Sequence, residues 1–599
     1  MKLSYSQVAK SCLVAAALAL PTLPLHAAPV EGPSGMAFYT PPATTGAKGD
    51  LIWYRPATVK LGSGAPGYQA WNLMYHSTDA LGKPNVVTGT VIVPKAAWRG
   101  LGARPVISYA VGTHGLNQSC APSLQLAQGT DYESANIAAA LQAGYSVLIS
   151  DNPGYTNGDT PTYLAGKAQG HAVLDIIKAA AQIPGAGVSA SAKAAIWGYS
   201  QGGQTASWAA ELKDSYAPGI NLVGVAAGGT PANFPAIAHY LDGSTGASFL
   251  MQAIVGLGTQ YPDHIPVEEL ASARGLAMME TAKQQCVFES LFDVMNESIS
   301  SYTVDNLTLD QLMTIPPVHE TLVEQNLGKN RISVPLYQYH GQADEFIPLD
   351  QHIALKKQYC QKYSNVTFDL YPSEHIVTQF QAAPYVLSWL GDRFNGRPTL
   401  GNCVTLKPEP KSTANPGGGN FVVSLKDWKL DATIGLNTLK QDITLPAKST
   451  FTADTDMTAQ VLDGTLSIPT FKQKLNIVLP LDVVITVSPA ERARGTVSLN
   501  DQGILQVQGT AHTYIKVNSA GLGLLQIPFG CQTERSVAFP INFEGPVSAL
   551  GSGDLTFNGT TSFPPMKNCG LFNSLFTVLM SGAGQSYSFN VTPPAPTRW

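Results

Sequence analysis

Lys193-Ala-Ala-Ile-Trp197-Gly198-Tyr199-Ser200-Gln201-Gly202-Gly203 is the stretch that decides the fold. Lys193 to Trp197 reads as a strand, and the Ala-rich segment from Gln201 to Ser215 reads as a helix. Between them lies Gly198-Tyr-Ser200-Gln-Gly202, a G-x-S-x-G. In a chain with 56 glycines the pattern alone is weak. A strand running straight in and a helix running straight out give it meaning. A tight strand-to-helix turn holds the serine in a strained conformation with its hydroxyl exposed, and flanking glycines let neighbouring backbone approach. The helix N-terminus beneath the turn favours developing negative charge. Ser200 is therefore the candidate nucleophile.

Outward from this turn, residues from about 30 to 403 alternate short apolar runs with helical stretches, the pattern of a mostly parallel sheet covered by helices. Strands are expected at Val106 to Val111, Tyr145 to Ser150, Ala194 to Gly198, Leu222 to Ala226, Val334 to Tyr339 and Val366 to Leu370. Helices are expected at Ala135 to Ala143 and Gly166 to Ile183. The fold class is α/β, an α/β-hydrolase domain over 29–403. From about 231 to 328 the alternation stops, and helices are expected at Ser248 to Val255, Val267 to Lys283, Leu291 to Ser298 and Leu309 to Met313. Met251, Met278, Met279, Met295 and Met313 fall here, and flexible thioethers suit an adaptable apolar pocket. This segment interrupts the sheet between two positions that carry chemistry, so it is expected to cap the site.

A serine hydroxyl needs a base to take its proton, and in this fold the order is Ser, then acid, then His. His239, His264 and His319 precede any suitable acid. His340 ends a strand ahead of every nearby acid, His352 is expected on a solvated helix, and His512 on a strand surface. His375 lies in the loop after Val366 to Leu370, where a base belongs. The loop His340-Gly-Gln-Ala-Asp344-Glu-Phe-Ile-Pro348 puts Asp344 at the end of the preceding strand, with Glu345 as the alternative acid. Asp344 would orient the His375 ring and stabilise its imidazolium. An oxyanion hole needs two N–H groups. One is expected from Gln201, the other from the main chain of His114 or its neighbours in Gly112-Thr-His114-Gly115.

Bulk properties fit an exported globular protein. The 599 residues are too many for one core, so a second domain is expected. Only 13% are charged, the net charge is −5 and no basic block occurs, which excludes electrostatic capture of nucleic acid. Residues 1–28 carry Lys2 and Lys10, an apolar run from Leu13 to Leu20 and small residues at Ala27 and Ala28, the features of a cleaved signal. The compartment is extracellular or periplasmic. Beyond the signal lie Cys120, Cys286, Cys360, Cys403, Cys531 and Cys569, an even set suited to disulfides. No zinc motif is present, and neither metal nor organic cofactor is expected. Residues 404–419, rich in Pro and Gly, read as a linker, and 420–599 as an all-β sandwich-like domain of short alternating strands. Its cysteines, Cys531 and Cys569, are expected to pair with each other.

The chain resembles the secretory lipase family, the lipase A type of yeasts. The resemblance rests on Ser108-Tyr109 leading to Cys120-Ala-Pro-Ser123, Gly198-Tyr-Ser200-Gln-Gly-Gly203, Ser215-Tyr-Ala-Pro218, Gly228-Gly-Thr-Pro231, Asp344-Glu-Phe-Ile-Pro348 and Glu374-His375. It covers about residues 40 to 403. It implies a capped α/β-hydrolase acting on carboxylic esters, often triacylglycerols, and the pairs Cys120–Cys286 and Cys360–Cys403. The sequence departs at His114, where the yeast type has an acidic residue. The expectation is a monomeric secreted serine hydrolase for ester or lipid substrates that makes contact with a lipid interface or other surface. Its rivals are an acyltransferase, an esterase for a bulky non-glyceride ester, and a surface-binding protein with a residual hydrolase fold.

Overall fold

A computed structural model describes residues 29–62, 64–414, 419–476, 479–523 and 525–599. The expected signal, 1–28, and the linker run 415–418 lie outside the described residues. Around the elbow strand an eleven-stranded sheet forms, in the order β1-β2-β3-β4-β6-β5-β7-β8-β9-β10 plus a last strand from the C-terminus. These are β1 (Val30–Glu31), β2 (Leu51–Pro56), β3 (Tyr68–Thr78), β4 (Pro84–Pro94), β5 (Val106–Ala110), β6 (Ser146–Ser150), β7 (Ala194–Tyr199), β8 (Leu222–Gly228), β9 (Leu336–Gly341) and β10 (Val366–Tyr371). The strands from β6 to β10 are parallel, whereas β2, β3 and β4 are antiparallel. All six expected strands are present within two residues. Every residue of β5, β6, β7, β9 and β10 is buried, as a sheet covered on both faces requires.

Between β8 and β9 the chain leaves the sheet for a helical insertion, whose longer helices are Phe234–Leu241, Ala247–Gln260, Ala273–Ala282 and Pro316–Glu324. Two expectations are corrected here. Val267 to Lys283 is not one helix but Val267–Leu270 and Ala273–Ala282, broken where Ala271 bridges to Thr303 and Ser272 caps the second helix through Gly275 N. Leu291 to Ser298 is not helical. Asn296 takes a positive φ of 63°, and Leu291, Phe292 and Met295 turn toward the C-terminal sheet instead. No helix among the described residues is long and apolar enough to cross a membrane.

Residues beyond 420 form a thirteen-stranded antiparallel sheet rather than two hydrogen-bonded layers. Ile504–Leu522 joins its halves, pairing early with Ala493–Leu499 and Val537–Pro546, and late with Pro480–Pro489 and Leu525–Thr533. The sheet curls until Thr561 Oγ1 in Thr556–Phe563 donates to Ala538 O at 2.5 Å, enclosing an apolar interior. The last three residues leave this domain. Thr597–Arg598 pairs antiparallel with β10, Arg598 makes a two-pronged ion pair with Asp369, and Trp599 buries against Phe368.

Among the described residues three disulfides are present, Cys120–Cys286, Cys360–Cys403 and Cys531–Cys569, as expected. The first ties the segment after β5 to the helical insertion.

Candidate active site

Ser200 sits between β7 and the helix Gln201–Tyr216 with φ 59° and ψ −123°, a strained conformation for a residue with a side chain. Two of the glycines are there for space. A Cβ on Gly198 would lie 2.1 Å from Gly202 O, and one on Gly202 would lie 2.0 Å from Ala110 O. The turn is thus clamped between its own helix and β5.

His375 opens the helix His375–Gln381, whose N-cap is Glu374, accepting from Ile376 N at 2.5 Å and Val377 N at 2.9 Å. Its ring reaches both expected partners. Nε2 lies 2.9 Å from Ser200 Oγ, and Nδ1 lies 2.7 Å from Asp344 Oδ2. With Nδ1–H donating to the carboxylate, Nε2 is free to accept the serine proton. Asp344 is 1% exposed. Its Oδ1 accepts from Phe346 N at 3.1 Å and Ile347 N at 2.8 Å. Burial works to raise its pKa, but the adjacent His375 and His340 and these hydrogen bonds outweigh it, so the carboxyl is held below its ordinary value.

The neighbouring carboxyls have other tasks. Glu345, the alternative acid, accepts from His375 N at 3.2 Å and does not meet the ring. Burial, then the nearby Glu374 and Asp344, push its pKa well up. Burial likewise lifts Glu374 to about 7. His352, expected in solvent, is fully buried, with Nδ1 2.9 Å from His340 Nδ1, while His340 Nε2 donates to Ile347 O at 3.0 Å. Burial lowers the pKa of both rings, and the pair braces the loop that carries Asp344. Sequence position could not reveal this pair, because the side chains meet only when the following helix folds back on β9.

At the candidate oxyanion loop the His114 ring points inward. Nδ1 lies 3.0 Å from Gly112 O and Nε2 3.1 Å from Asp131 Oδ2, an arrangement that favours a proton on both nitrogens. Burial opposes that charge, but the bond to Asp131 and the charges of Asp131 and Glu133 prevail and raise the pKa to about 9. The loop's carbonyls are occupied. Tyr132 OH donates to Thr113 O and Val287 N donates to His114 O, each at 3.0 Å. Thr113 N, His114 N and Gln201 N have no partner among the described residues and remain as candidate oxyanion donors.

Ser200, Gln201 and His375 open into an apolar cavity inside the helical insertion, lined by Phe234, Ile237, Leu250, Leu257, Met279 and Leu309 among other apolar side chains. Of the five methionines, Met279 and Met313 line it, while Met251 is core and Met295 faces the C-terminal sheet.

A parallel sheet with a serine elbow and with acid and histidine on later loops defines the α/β-hydrolase class. Residues 121–402 match the family described as secretory lipase. Lipase 10 of Candida albicans is 32% identical over 62% of this chain and 83% of its own length. A secreted triacylglycerol lipase of Malassezia furfur is 27% identical over 66% and 83%. Among solved structures, Candida antarctica lipase A superposes with a TM-score of 0.54 at 23% identity, over 64% of this chain and 88% of that one. A rice cell wall degrading esterase from Xanthomonas oryzae does so with 0.50 at 19% identity, over 58% and 100%. The chain belongs to the secretory lipase family. It is a secreted carboxylic ester hydrolase of the lipase and esterase kind.

Proposed function

We propose that this protein hydrolyses esters of apolar acyl chains, glycerides among them, by two acyl transfers through Ser200. The observation that carries the reading is the unbroken chain Asp344–His375–Ser200 at the mouth of an apolar cavity. Ser200 Oγ attacks the carbonyl carbon while its proton passes to His375 Nε2, and the carbonyl electron pair moves onto oxygen. The N–H of Gln201 and one from Thr113 or His114 hold that oxyanion. Collapse breaks the ester bond, and the leaving alcohol takes the proton from His375. Water then repeats the sequence on the acyl-serine, releasing the carboxylic acid and restoring Ser200. Asp344 keeps the imidazolium oriented and charge-balanced throughout.

In this reading 29–403 is the catalytic unit, 231–328 its acyl-binding cap, 404–419 a linker and 420–599 an accessory β domain. The working unit is a monomer, since nucleophile, base, acid and oxyanion donors all come from one chain. The apolar cap lets the site meet lipid at an interface. The test is hydrolysis of p-nitrophenyl esters of graded chain length by wild type and Ser200→Ala. Wild type should favour chains long enough to fill the cavity, and the variant should lose at least about 10³-fold in kcat. Equal activity in the variant overturns the assignment of Ser200.

A further inference from the structure

The β domain reaches the reacting groups through one stack of rings. Phe421, just before the strand Val422–Leu436, is 2% exposed and lies nearly parallel to Phe346, with centroids 5.6 Å apart and 25° between planes. Phe346 in turn sets its edge against the His375 ring at 5.4 Å and 77°. Tyr199, next to Ser200, approaches the same ring at 4.9 Å. Hydrogen bonds to Asp344 and Ser200 fix the imidazole at its two nitrogens, in the ring plane. Only packing against its faces and edges resists rotation out of that plane, and Phe346 and Tyr199 supply it.

Phe421 is itself anchored in the β domain. Its N donates to Thr458 Oγ1 at 2.9 Å, and its carbonyl accepts from Met457 N at 2.9 Å. Two further contacts bring the β domain onto the same machinery. A Cβ on Gly551 would lie 2.4 Å from Val377 O, so the helix that begins with His375 rests backbone to backbone on the β domain. A Cβ on Gly503 would lie 2.6 Å from the ring of Phe288. That ring packs edge-on against Tyr132, whose hydroxyl holds Thr113 O of the oxyanion loop.

We infer that the C-terminal β domain is a working part of the hydrolase site, in which Phe421 is a positioning residue that acts through Phe346 to hold the His375 ring in line with Ser200. The inference rests on the reading of Ser200 and His375 given above. Proton transfer tolerates little misalignment, and a displacement of about 1 Å can cost on the order of 10²-fold. The β domain therefore contributes to kcat through ring packing, in addition to any attachment role.

The experiment uses the full-length chain. Phe421→Ala, Phe346→Ala, the double variant and Ile485→Ala, a loss from the separate β-domain core cluster that does not include the stack, are compared with wild type. Steady-state hydrolysis of a short p-nitrophenyl ester and the rate of inactivation by a fluorophosphonate are measured, with circular dichroism to establish the folded fraction. Phe421→Ala should lower kcat and the inactivation rate by the same factor, about tenfold, with KM within about twofold. The double variant should be no worse than Phe346→Ala, because one residue acts through the other. Ile485→Ala should keep kcat per folded molecule. Wild-type kcat and inactivation rate in Phe421→Ala, additive losses in the double variant, or an equal kcat loss in Ile485→Ala would each overturn the inference. Failure of wild type to react with the fluorophosphonate, or reaction of Ser200→Ala, would overturn the serine-nucleophile reading instead.

Discussion

The two sheets of this molecule treat charge in opposite ways. In the hydrolase unit Asp131, Glu133, Asp151, Asp175, Glu211, Asp344, Glu345 and Glu374 are all buried, as are His114, His340, His352 and His375. Beyond residue 420 the buried polar groups among the described residues are Ser449, Thr455, Thr513, Thr533, Ser548 and Gln585, and none carries a charge. Burying charge is costly unless each group finds partners. The hydrolase unit meets that cost with partners: Asp151 accepts from Ser123 and Thr88, Glu211 from Gly328 N and Tyr359, and Asp344 from His375. The β domain makes the cheaper choice of an apolar core, and its influence on catalysis has to travel through shape rather than charge.

That contrast can be broken most sharply at Asp344. Asp344→Asn keeps the shape of the side chain but removes the charge that selects the His375 tautomer. A loss of about 10³- to 10⁴-fold in kcat is expected, with KM little changed, measured by steady-state kinetics on a soluble ester. A drop under about tenfold would mean that Glu345 or another group does the work. The matching change in the β domain is Leu505→Ala, which deletes fully buried apolar volume. It should lower stability by about 2–5 kcal/mol in denaturant unfolding, by the same amount at pH 6 and pH 9, since no titrating group is involved.

His114 sharpens the comparison with a smaller, pH-dependent effect. Its pKa in the folded chain, about 9, stands above the ordinary 6.5. The stabilisation it brings is therefore fully present below pH 6.5 and is lost as pH rises toward 9. His114→Gln should be less stable than wild type at pH 6, and the gap should close by about pH 9 in urea unfolding. A gap that stays constant with pH would show that the ring is neutral, and that Asp131 is balanced by hydrogen bonds alone.

Much of the site was legible because its logic is local and ordered. The Ser200 turn announces itself through strand, glycine and helix within a dozen residues. Asp344 and His375 follow from the rule that each loop after a strand of this fold projects at the same end of the sheet. Less legible was the insertion. The stretch from Leu291 has the composition of a helix, but Phe292 and Met295 turn toward the β domain, a contact that helical periodicity does not register. His352 looked solvated because it follows Asp350 on a helix, where most histidines face water, whereas its neighbours in space are His340 and Phe368.

The sequence by itself determined the class, nominated Ser200, His375 and Asp344, and separated two textures of chain, because periodicity, glycine placement and strand order are properties of near neighbours. Only the tertiary structure decided that Thr597–Arg598 closes the hydrolase sheet, that the buried His114 ring meets Asp131, and that Phe421 stacks on the ring that meets His375. Each of these joins residues 17 to more than 200 positions apart. Such contacts depend on how whole elements pack, and packing is fixed by shape and burial summed over the fold.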